Sequence, residues 1–221
     1  MAERIAVTGA SGVVGAATVR SLLARGDAVV GVQRGTVPES LQRAGATGQS
    51  ADITGPIEEL QRAFIGCDAV VHAAARVDMT GPWEDFERVN VHGTRNVLQA
   101  ARLAGVRTFV MVSSPSVAHA GHPLVGAGAG RADPDRARSH YARSKAMAEL
   151  LALEADGLDL AVAVVRPHLV WGVGDSQLTA RIIDRARAGR LVVIGSGAAL
   201  IDTTYVDNAG DAIAAAVQRA H

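Results

Sequence analysis

The sequence predicts an α/β fold, a Rossmann-like doubly wound parallel sheet with a small, incomplete C-terminal lobe. Three observations predict this class. Apolar strand-like runs alternate with helical patterns over residues 1–166, which is typical of parallel βαβ units. A glycine-rich turn joins the first strand to the first helix. The 24 glycines and the aromatic share of 3% suit tight βα turns around an aliphatic core.

The individual elements follow from hydrophobic periodicity and from signals at their ends. Short apolar runs predict strands at Ile5 to Val7, Ala28 to Val32, Ala69 to His72, Thr108 to Ser113 and Leu160 to Val165. Helical patterns, several closed by a glycine, predict helices at Ala16 to Arg25, Ile57 to Ile65, Trp83 to Ala104 and Tyr141 to Ala155. A further strand before Asp52 is hard to see, and the segment from Ala118 to Arg138 has the length of a lid loop.

The regular alternation breaks after Arg166-Pro167, so we expect a domain boundary there. Residues 1–166 form the predicted dinucleotide-binding domain. Residues 167–221 form the start of a truncated substrate lobe and a returning helix. Within the lobe the sequence predicts a basic helix and two strand-like pieces, at Leu178 to Ala188, Leu191 to Ile194 and Leu200 to Tyr205.

Charge and cysteine content narrow the function classes. Lys and Arg together number 22, as do Asp and Glu, so no net field would attract nucleic acid or an anionic membrane, and we expect a small-molecule partner. Cys67 is the only cysteine, which excludes an internal disulfide and favours a cytoplasmic location. The sequence predicts neither a membrane span nor a signal peptide.

The turn after the first strand has a G-x-x-G-x-x-G spacing. Gly9 permits the turn, Gly12 lets a phosphate approach the backbone, and Gly15 lets the helix pack on the strand. Backbone amides at the helix N-terminus can then bind a pyrophosphate. The predicted cofactor contacts of this loop are Gly9, Ser11, Gly12, Val13, Val14 and Gly15. A glycine turn without a ligand is the alternative.

Residues at three later strand ends predict the rest of a dinucleotide site. After the second strand, where an acid would bind the adenosine ribose 2′-hydroxyl, Gln33 is followed by Arg34, which suits a 2′-phosphate or is a solvated surface residue. This pair favours NADP(H) over NAD(H). Asp52 and Ile53 could contact adenine, although Asp52 could equally cap the next helix. Small residues after the fourth strand allow the cofactor to pass closely: Ala73, Ala74 and Ala75.

Tyr141 and Lys145 stand one helical turn apart and share a face, so they can act as a proton-transfer pair. A tyrosine that protonates a developing alkoxide near neutral pH needs a neighbouring cation to lower its pKa, and Lys145 is predicted to supply it. Ser114, just beyond a strand, could bind a carbonyl oxygen as a hydrogen-bond donor. Tyr-x-x-x-Lys alone is a weak motif that also occurs as a surface helix pair.

Several motifs together resemble the extended short-chain dehydrogenase/reductase family, and within it the 3β-hydroxysteroid dehydrogenase-like branch. The matching segments are Thr8 to Gly15, Asp68 to Ala75, Asn90 to Thr94, Ser113 to Val117, Tyr141 to Lys145, Arg166 to Gly172 and Tyr205 to Asn208. Three of the later loops look like those of the bacterial 2-alkyl-3-oxoalkanoate reductases, which use NADPH on a β-keto acid. These loops are Pro115 to His119, Pro167 to Gly172 and Ile201 to Tyr205.

The resemblance implies a role for each matching residue. Tyr141 would be the general acid/base, and Lys145 its pKa-lowering, ribose-binding partner. Ser114 would orient the carbonyl, and Asn90 would anchor the fold and relay a proton. The loop after Arg166 would bind the nicotinamide carboxamide through Pro167, Leu169 and Val170. The implied enzyme interconverts a ketone and a secondary alcohol on a hydrophobic substrate, either a β-keto acid or a sterol-like molecule.

More than one interpretation stays open for the substrate-binding residues, for the assembly and for the reaction class. Side chains near the expected pocket mouth suit a carboxylate or carbonyl, although each can equally be structural or solvated: Arg76, His119, His122, His168 and Trp171. Their spacing predicts no metal site. Family-like assembly through the helices Trp83 to Ala104 and Tyr141 to Ala155 would give a homodimer. The alternative functions are an epimerase or dehydratase that holds NAD, and a cofactor-sensing protein without catalysis.

Overall fold

The structure, a computed structural model, describes residues 2–78, 80–119, 125–175, 179–193 and 195–220. Its centre is a six-stranded, all-parallel sheet in the order β3-β2-β1-β4-β5-β6. The strands are β1 Arg4–Thr8, β2 Ala28–Gln33, β3 Thr47–Ser50, β4 Ala69–His72, β5 Thr108–Val112 and β6 Ala161–Val165. A separate parallel pair joins β7 Val170–Trp171 to β8 Thr204–Tyr205. This architecture confirms the predicted Rossmann-like α/β fold.

Helices cover both faces of the six-stranded sheet. The α-helices of the described residues are α1 Val13–Ala24, α2 Glu39–Arg43, α3 Ile57–Phe64, α4 Trp83–Phe86, α5 Gly93–Leu103, α6 His140–Glu154, α7 Thr179–Arg187 and α8 Val206–Arg219. Buried side chains of α3, α5 and α6 share one core with the sheet, and those of α1, α2 and α8 share the other. The crossovers through α1 and α2 therefore lie on one face and those through α3, α5 and α6 on the other, as in a doubly wound sheet.

Strand β5 shows why the central strands read as continuous apolar runs. Phe109 and Met111 belong to the core beneath α3, α5 and α6, whereas Val110 and Val112 belong to the core beneath α1 and α8. Successive side chains of a strand point to opposite faces, and here both faces are covered by helices. All five residues of β5 are therefore buried.

The returning helix α8 packs on α1. A Cβ atom added to Gly210 would lie 2.8 Å from the carbonyl carbon and oxygen of Ala17, so the two helices approach at backbone distance. Ser21 Oγ donates a hydrogen bond to Asp211 Oδ1 at 2.6 Å across the same contact. Residues 206–219 thus complete the helix layer beside α1.

Three predicted elements differ in the structure. The helix predicted over Trp83 to Ala104 contains π-helical turns at Glu87–His92 between α4 and α5. Of the strand-like pieces, residues 191–193 and 200–203 form no strand, and Ile194 lies outside the described residues. Only Thr204–Tyr205 finds a partner strand. The apolar side chains of the unpaired pieces are exposed, Val192 at 78% and Leu200 at 101%, so no burial stabilises an extended pairing.

The basic helix predicted at Leu178 to Ala188 forms as α7, with Leu178 outside the described residues and no buried residue on any face of the helix. Within the described ranges, no helix has the length and apolar character needed to cross a membrane.

Candidate active site

The predicted site residues gather at the carboxyl edge of the sheet. Strands β1 and β4 are neighbours, yet the chain leaves them toward helices on opposite faces, which opens a crevice beyond their ends. Gly9 directly follows β1, and Ala73 directly follows β4. Tyr141 and Lys145 lie in the first two turns of α6, whose packing brings them to the same edge beside β5.

The glycine loop is held at backbone contact on both sides. Gly9 has a φ of +69°, a left-handed conformation that favours glycine. A Cβ atom on Gly9 would lie 2.8 Å from the backbone of Ala74, and one on Gly15 would lie 2.1 Å from the carbonyl oxygen of Gly9. The amide of Gly12 donates to the carbonyl of Gly9 at 3.0 Å and closes the turn. Larger residues at positions 9 and 15 would separate the loop from β4 and α1.

Helix α1 begins directly behind this loop. Its N-cap residue is Gly12, and no side chain from the described part of the protein caps the first turn. The free N–H groups of a first helical turn point toward the helix N-terminus, where they and the helix dipole bind anions. The first-turn residues are Val13, Val14 and Gly15, and the hydroxyl-bearing Ser11 beside them is exposed. This arrangement fits the pyrophosphate of a dinucleotide.

A chain of hydrogen bonds runs beneath the loop from β1 to the π-helical turns. Ala74 N donates to Thr8 Oγ1 at 3.3 Å, Thr8 Oγ1 lies 2.8 Å from His72 Nδ1, and His72 Nε2 lies 3.0 Å from Thr94 Oγ1. Thr94 Oγ1 donates onward to the carbonyl of Asn90 at 2.6 Å. Because Thr94 uses its only proton there, His72 must donate from Nε2 and accept at Nδ1. Every member of the chain is then satisfied with a neutral imidazole.

His72 is confined to that neutral form. It is buried, and the loss of solvent lowers the pKa of His72 to about 3, with a smaller contribution from the charge of Lys145. A protonated imidazole would donate from both nitrogens and would lose the bond from Thr8. His72 therefore serves the site as a neutral connector between the cofactor loop and the helix that carries Asn90.

The adenosine end of the crevice lies at β2 and β3. Gln33 ends β2, and its Nε2 donates to the carbonyl of Thr36, while its Oε1 is buried and finds no hydrogen-bond partner among the described residues. Arg34 follows and lines a cleft of about 480 Å³ together with Thr36, Gln42 and Ser50. The end of β2 thus offers a guanidinium and no carboxylate.

Asp52 and Ile53, predicted to contact adenine, are engaged locally. Asp52 Oδ1 accepts from Thr54 N at 2.8 Å and from Thr54 Oγ1 at 2.9 Å, so it closes its own turn and does not cap α3. The side chain of Ile53 is buried where a Cβ atom on Gly93 would touch it at 2.8 Å. Both residues lie at the end of β3, but Ile53 packs on α5 rather than presenting a face to the crevice.

Tyr141 and Ser114 are brought together at the end of β5. Ser114 caps a 3-10 turn over Pro115–Ala118, and its Oγ lies 2.9 Å from Ser116 Oγ. Burial raises the pKa of Tyr141, and a hydrogen bond with Ser114 lowers that pKa by less. The net direction is thus opposite to the predicted lowering, because burial outweighs the hydrogen bond with Ser114.

Lys145 is held at the last residue of β5. Its Nζ donates to the carbonyl of Val112 at 2.7 Å, and the side chain is 3% exposed. Burial lowers the pKa of Lys145 to about 8, while the nearby carboxylate of Glu149 opposes that fall. The ammonium therefore keeps its charge at neutral pH although it is buried.

Asn90 joins the segment after β4 to α6. Its Oδ1 accepts from Arg76 N at 2.7 Å, and its Nδ2 donates to Arg76 O at 3.1 Å and to Ser144 Oγ at 2.8 Å. Ser144 Oγ in turn donates to the carbonyl of Tyr141 at 2.9 Å. Both amide hydrogens and the amide oxygen of Asn90 are used in these bonds, which fits its predicted anchoring role.

Two residues of this edge were not among those predicted from the sequence. Ser144 sits inside the Tyr-x-x-x-Lys motif, and Glu149 is buried one turn beyond Lys145, with Arg166 as its ion-pair partner. Glu149 had a signal, since Tyr141, Lys145 and Glu149 are spaced i, i+4 and i+8 and so share one helix face. An acid on that face must be paired when the face is buried.

The segment after β6 carries the predicted nicotinamide contacts and two of the five predicted pocket-mouth residues, His168 and Trp171. Pro167 and Leu169 lie between β6 and β7, and Val170 pairs with Thr204 in the small sheet. Trp171, 41% exposed, packs edge-on against Tyr205 with ring centroids 5.3 Å apart.

The remaining pocket-mouth residues are placed differently. Arg76 forms ion pairs with Asp78 at 3.1 Å and Asp85 at 3.3 Å, so its charge is already matched. His168 Nδ1 lies 3.8 Å from the carboxylate of the exposed Asp202. His119 ends the 3-10 turn after Ser114. His122 lies outside the described residues.

A family model for the NAD dependent epimerase/dehydratase family matches residues 5–221. The chain belongs to this family. The match confirms the predicted membership among the extended short-chain dehydrogenases/reductases. The glycine loop thus belongs to a chain whose family is NAD-dependent.

Relatives within the NAD dependent epimerase/dehydratase family include reductases and dehydrogenases. A 2-alkyl-3-oxoalkanoate reductase from Stenotrophomonas maltophilia is 40% identical over 208 residues, which are 93% of this chain and 62% of that protein. A 3-beta-hydroxysteroid dehydrogenase from Mycolicibacterium neoaurum is 34% identical over 215 residues, 93% of this chain and 58% of that protein. The chain thus spans less than two thirds of either relative.

Solved structures of similar fold hold NAD. The structure of MoeE5 in complex with UDP-glucose and NAD has a TM-score of 0.81 and 28% identity, and the superposition covers 97% of this chain and 71% of that one.

The neutral His72 predicts a pH dependence of stability in this family member. The unfolded chain protonates this imidazole near its ordinary pKa of 6.5 and the folded chain only near 3, so the unfolded state binds more protons between these values. Stability is therefore retained above pH 6.5 and lost as pH falls toward 3. We expect the stability difference between wild type and His72→Asn to shrink by about 1.4 kcal/mol per pH unit on acidification.

Urea unfolding at a series of pH values measures this difference. His92→Asn, which removes an exposed imidazole, is the matched control and should keep the wild-type slope. Equal slopes for wild type and His72→Asn would contradict the neutral-connector role.

Proposed function

We propose that the chain is an NADP(H)-dependent oxidoreductase that interconverts a ketone and a secondary alcohol on a small hydrophobic substrate. The observation that carries this proposal is that the Ser114 and Tyr141 hydroxyls are hydrogen-bonded to each other, and the Lys145 ammonium is held, at the edge that bears the glycine loop. The similarity to a 2-alkyl-3-oxoalkanoate reductase supports a β-keto acid as the substrate class, and the similarity to a 3-beta-hydroxysteroid dehydrogenase supports a sterol-like alternative.

Tyr141 is the proposed proton donor. Because burial raises its pKa, the phenol stays protonated at neutral pH, which is the state needed to protonate a carbonyl oxygen during reduction. Ser114, hydrogen-bonded to Tyr141, is placed to bind the same oxygen and to stabilise the charge that develops there. When bound, a reduced nicotinamide would supply the hydride for the carbonyl carbon, and Tyr141 would supply the proton for the carbonyl oxygen of the product alcohol.

Lys145 is the proposed electrostatic partner of this step. After Tyr141 gives up its proton, the phenolate needs a nearby positive charge, and an ammonium 3% exposed is poorly screened by solvent. With a pKa of about 8, Lys145 is mostly charged at neutral pH and loses that charge as pH rises through 8. Reduction should therefore be favoured below that value and decline above it.

The residues proposed to hold the cofactor run along the carboxyl edge of the sheet. Gly9 to Gly15 would bind the pyrophosphate, and Ala73 to Ala75 lie close against that loop. Arg34 would bind the adenosine 2′-phosphate, and Tyr141 and Lys145 the ribose near the nicotinamide. Pro167, Leu169 and Val170 would bind the carboxamide. At adenine, Asp52 would accept from the amino group through Oδ2, since its bonds to Thr54 use Oδ1, while the side chain of Ile53 is packed on α5.

The preference for NADP(H) rests on the end of β2. Gln33 carries no charge that would repel a 2′-phosphate, and the Arg34 guanidinium lines the adjoining cleft. The buried, unpartnered Oε1 of Gln33 is an acceptor that would instead suit a ribose hydroxyl, which favours the runner-up, an NAD-holding epimerase or dehydratase. The Arg34 guanidinium is the stronger indication of cofactor preference, because the Oε1 of Gln33 is buried and less accessible to a ribose hydroxyl.

We also propose a homodimer and a cytoplasmic location. A groove between α5 and α6 is lined by Leu98, Leu103 and Leu151, and Leu103 is 55% exposed, so a second copy could bury this face. Sedimentation velocity should show a dimer for wild type and a monomer for Leu103→Glu; a monomeric wild type would refute the assembly.

The proposed cytoplasmic location rests on the single cysteine, a usage that fits a reducing compartment.

Tyr141→Phe tests the proposed chemistry. The variant keeps the ring and loses the proton donor, so kcat for reduction of a 2-alkyl-3-oxoalkanoate with NADPH should fall by about 10² to 10⁴-fold. NADPH affinity should fall far less, because only one of the proposed cofactor contacts is lost. Tyr205→Phe is the matched control, because Tyr205 is the only other tyrosine and should leave kcat close to wild type. Undiminished turnover by Tyr141→Phe would exclude Tyr141 as the acid.

Arg34→Gln tests the cofactor preference. Loss of the guanidinium should weaken NADPH binding by about tenfold or more and leave NADH binding nearly unchanged, because only NADPH carries the 2′-phosphate. Nicotinamide fluorescence titrations measure both affinities. The exposed Arg43→Gln on α2 controls for a general loss of positive charge. A parallel loss of both affinities would show that Arg34 does not read the 2′-phosphate.

A further inference from the structure

Glu149 is a buried acid that the proposed reaction does not use. It lies on α6 one turn beyond Lys145, and its side chain is 1% exposed. A carboxylate in such a place is stable only when charged and polar partners surround it. The groups that bind the Glu149 carboxylate therefore indicate the role of this residue.

Three bonds tie Glu149 to two neighbouring strand ends. Ser113 Oγ, just after β5, donates to Oε2 at 2.6 Å. Arg166, just after β6, donates to Oε2 from Nε at 2.9 Å and to Oε1 from a terminal nitrogen. The fork of the guanidinium thus meets both carboxylate oxygens, the strongest geometry for such a pair. Arg166 itself is 12% exposed.

Arg166 extends the connection to the segment before α6. Its terminal nitrogens donate to the backbone carbonyls of Ala129 and Gly130, the latter at 3.1 Å. In the sequence, Arg166 is followed directly by Pro167, where the proposed nicotinamide loop begins. One ion pair therefore joins the helix of Tyr141 and Lys145, the segment at 129–130 and the start of the nicotinamide loop.

Lys145 and Glu149 bind consecutive residues at the end of β5. Lys145 donates to the carbonyl of Val112, the last residue of the strand, and Glu149 accepts from the hydroxyl of Ser113, the next residue. The titratable groups around Lys145 come from three elements: Tyr141 and Glu149 on α6, His72 on β4, and Arg166 after β6. His72 is neutral, and Arg166 is paired with Glu149. The carboxylate of Glu149 is thus the group that favours a charged Lys145.

We propose that Glu149 is a positioning residue for the reaction, which holds the Lys145 ammonium charged and, through Arg166, fixes the nicotinamide loop against α6. The inference rests on the proposed function for its catalytic meaning, since it assigns how that site keeps its cation. Glu149 touches neither substrate nor cofactor and acts through Lys145 and Arg166.

The test uses the fact that Lys145 is the only lysine in the chain. Protein labelled with ¹³C and ¹⁵N lysine gives a single side-chain ε signal, whose titration reports Lys145 directly in the free protein. The wild-type midpoint should lie at about 8. In Glu149→Gln, which keeps the shape and removes the charge, we expect the midpoint to fall by about one pH unit. Glu154→Gln, an exposed acid on the same helix, should keep the wild-type midpoint.

A midpoint in Glu149→Gln equal to that of Glu154→Gln would overturn the proposal, because a merely structural glutamate would not move the titration of Lys145. Unpaired Arg166 could unfold Glu149→Gln. In that case Glu149→Gln/Arg166→Gln, which removes the guanidinium together with its partner, is titrated in its place. A smaller fall is expected there, because the positive charge of Arg166 that would repel the Lys145 ammonium is also removed; an unchanged midpoint again contradicts the role. Neither titration needs turnover, so a failure of the proposed reductase activity is seen separately in the wild-type assay.

Discussion

The burial of the Lys145 ammonium at the end of β5 is the interaction on which the proposed catalytic edge depends. A chain with 21 arginines and one lysine places that lysine where it is 3% exposed and bonded to a strand carbonyl. A charge in such a place needs polar groups on every side. The backbone of β5 and the carboxylate of Glu149 provide them, and both requirements can be met only when α6 packs in this position on the sheet.

Two polar networks of different character meet around that ammonium. The neutral chain from Thr8 through His72 to Thr94 fixes the cofactor loop relative to the π-helical turns, and it holds only while the imidazole is uncharged. The charged pair of Glu149 and Arg166 fixes α6 relative to the ends of β5 and β6. Positive charge near the reacting groups is thereby concentrated on Lys145, because His72 carries none and Arg166 is matched.

Local patterns in the sequence predicted the parts of this edge that depend on short spacings. The glycine loop, the β5 run and the i, i+4 pair of Tyr141 and Lys145 are each encoded within a few residues. The pairing of Glu149 with Arg166 joins positions 17 residues apart across a helix and a strand, so no local pattern specifies it. The pKa of Tyr141 was predicted to be lowered, whereas burial raises it. The burial of this side chain depends on the packing of segments far apart in the chain, which no local pattern specifies.

The apolar segments near the C-terminus show that a local pattern can also predict a strand that does not form. Strand-like composition at 191–193 and 200–203 predicted strands, but a strand forms only where a partner edge is available, and here only β7 and β8 pair. The measurement that tests the account most directly is isotope transfer. The chain is incubated with NADPH deuterated at nicotinamide C4 and a 2-alkyl-3-oxoalkanoate, and the product is examined by mass spectrometry. The account predicts deuterium on the carbinol carbon of the alcohol in proportion to the cofactor oxidised. An isomerised product without deuterium and without net oxidation of cofactor would contradict it and indicate the epimerase reaction.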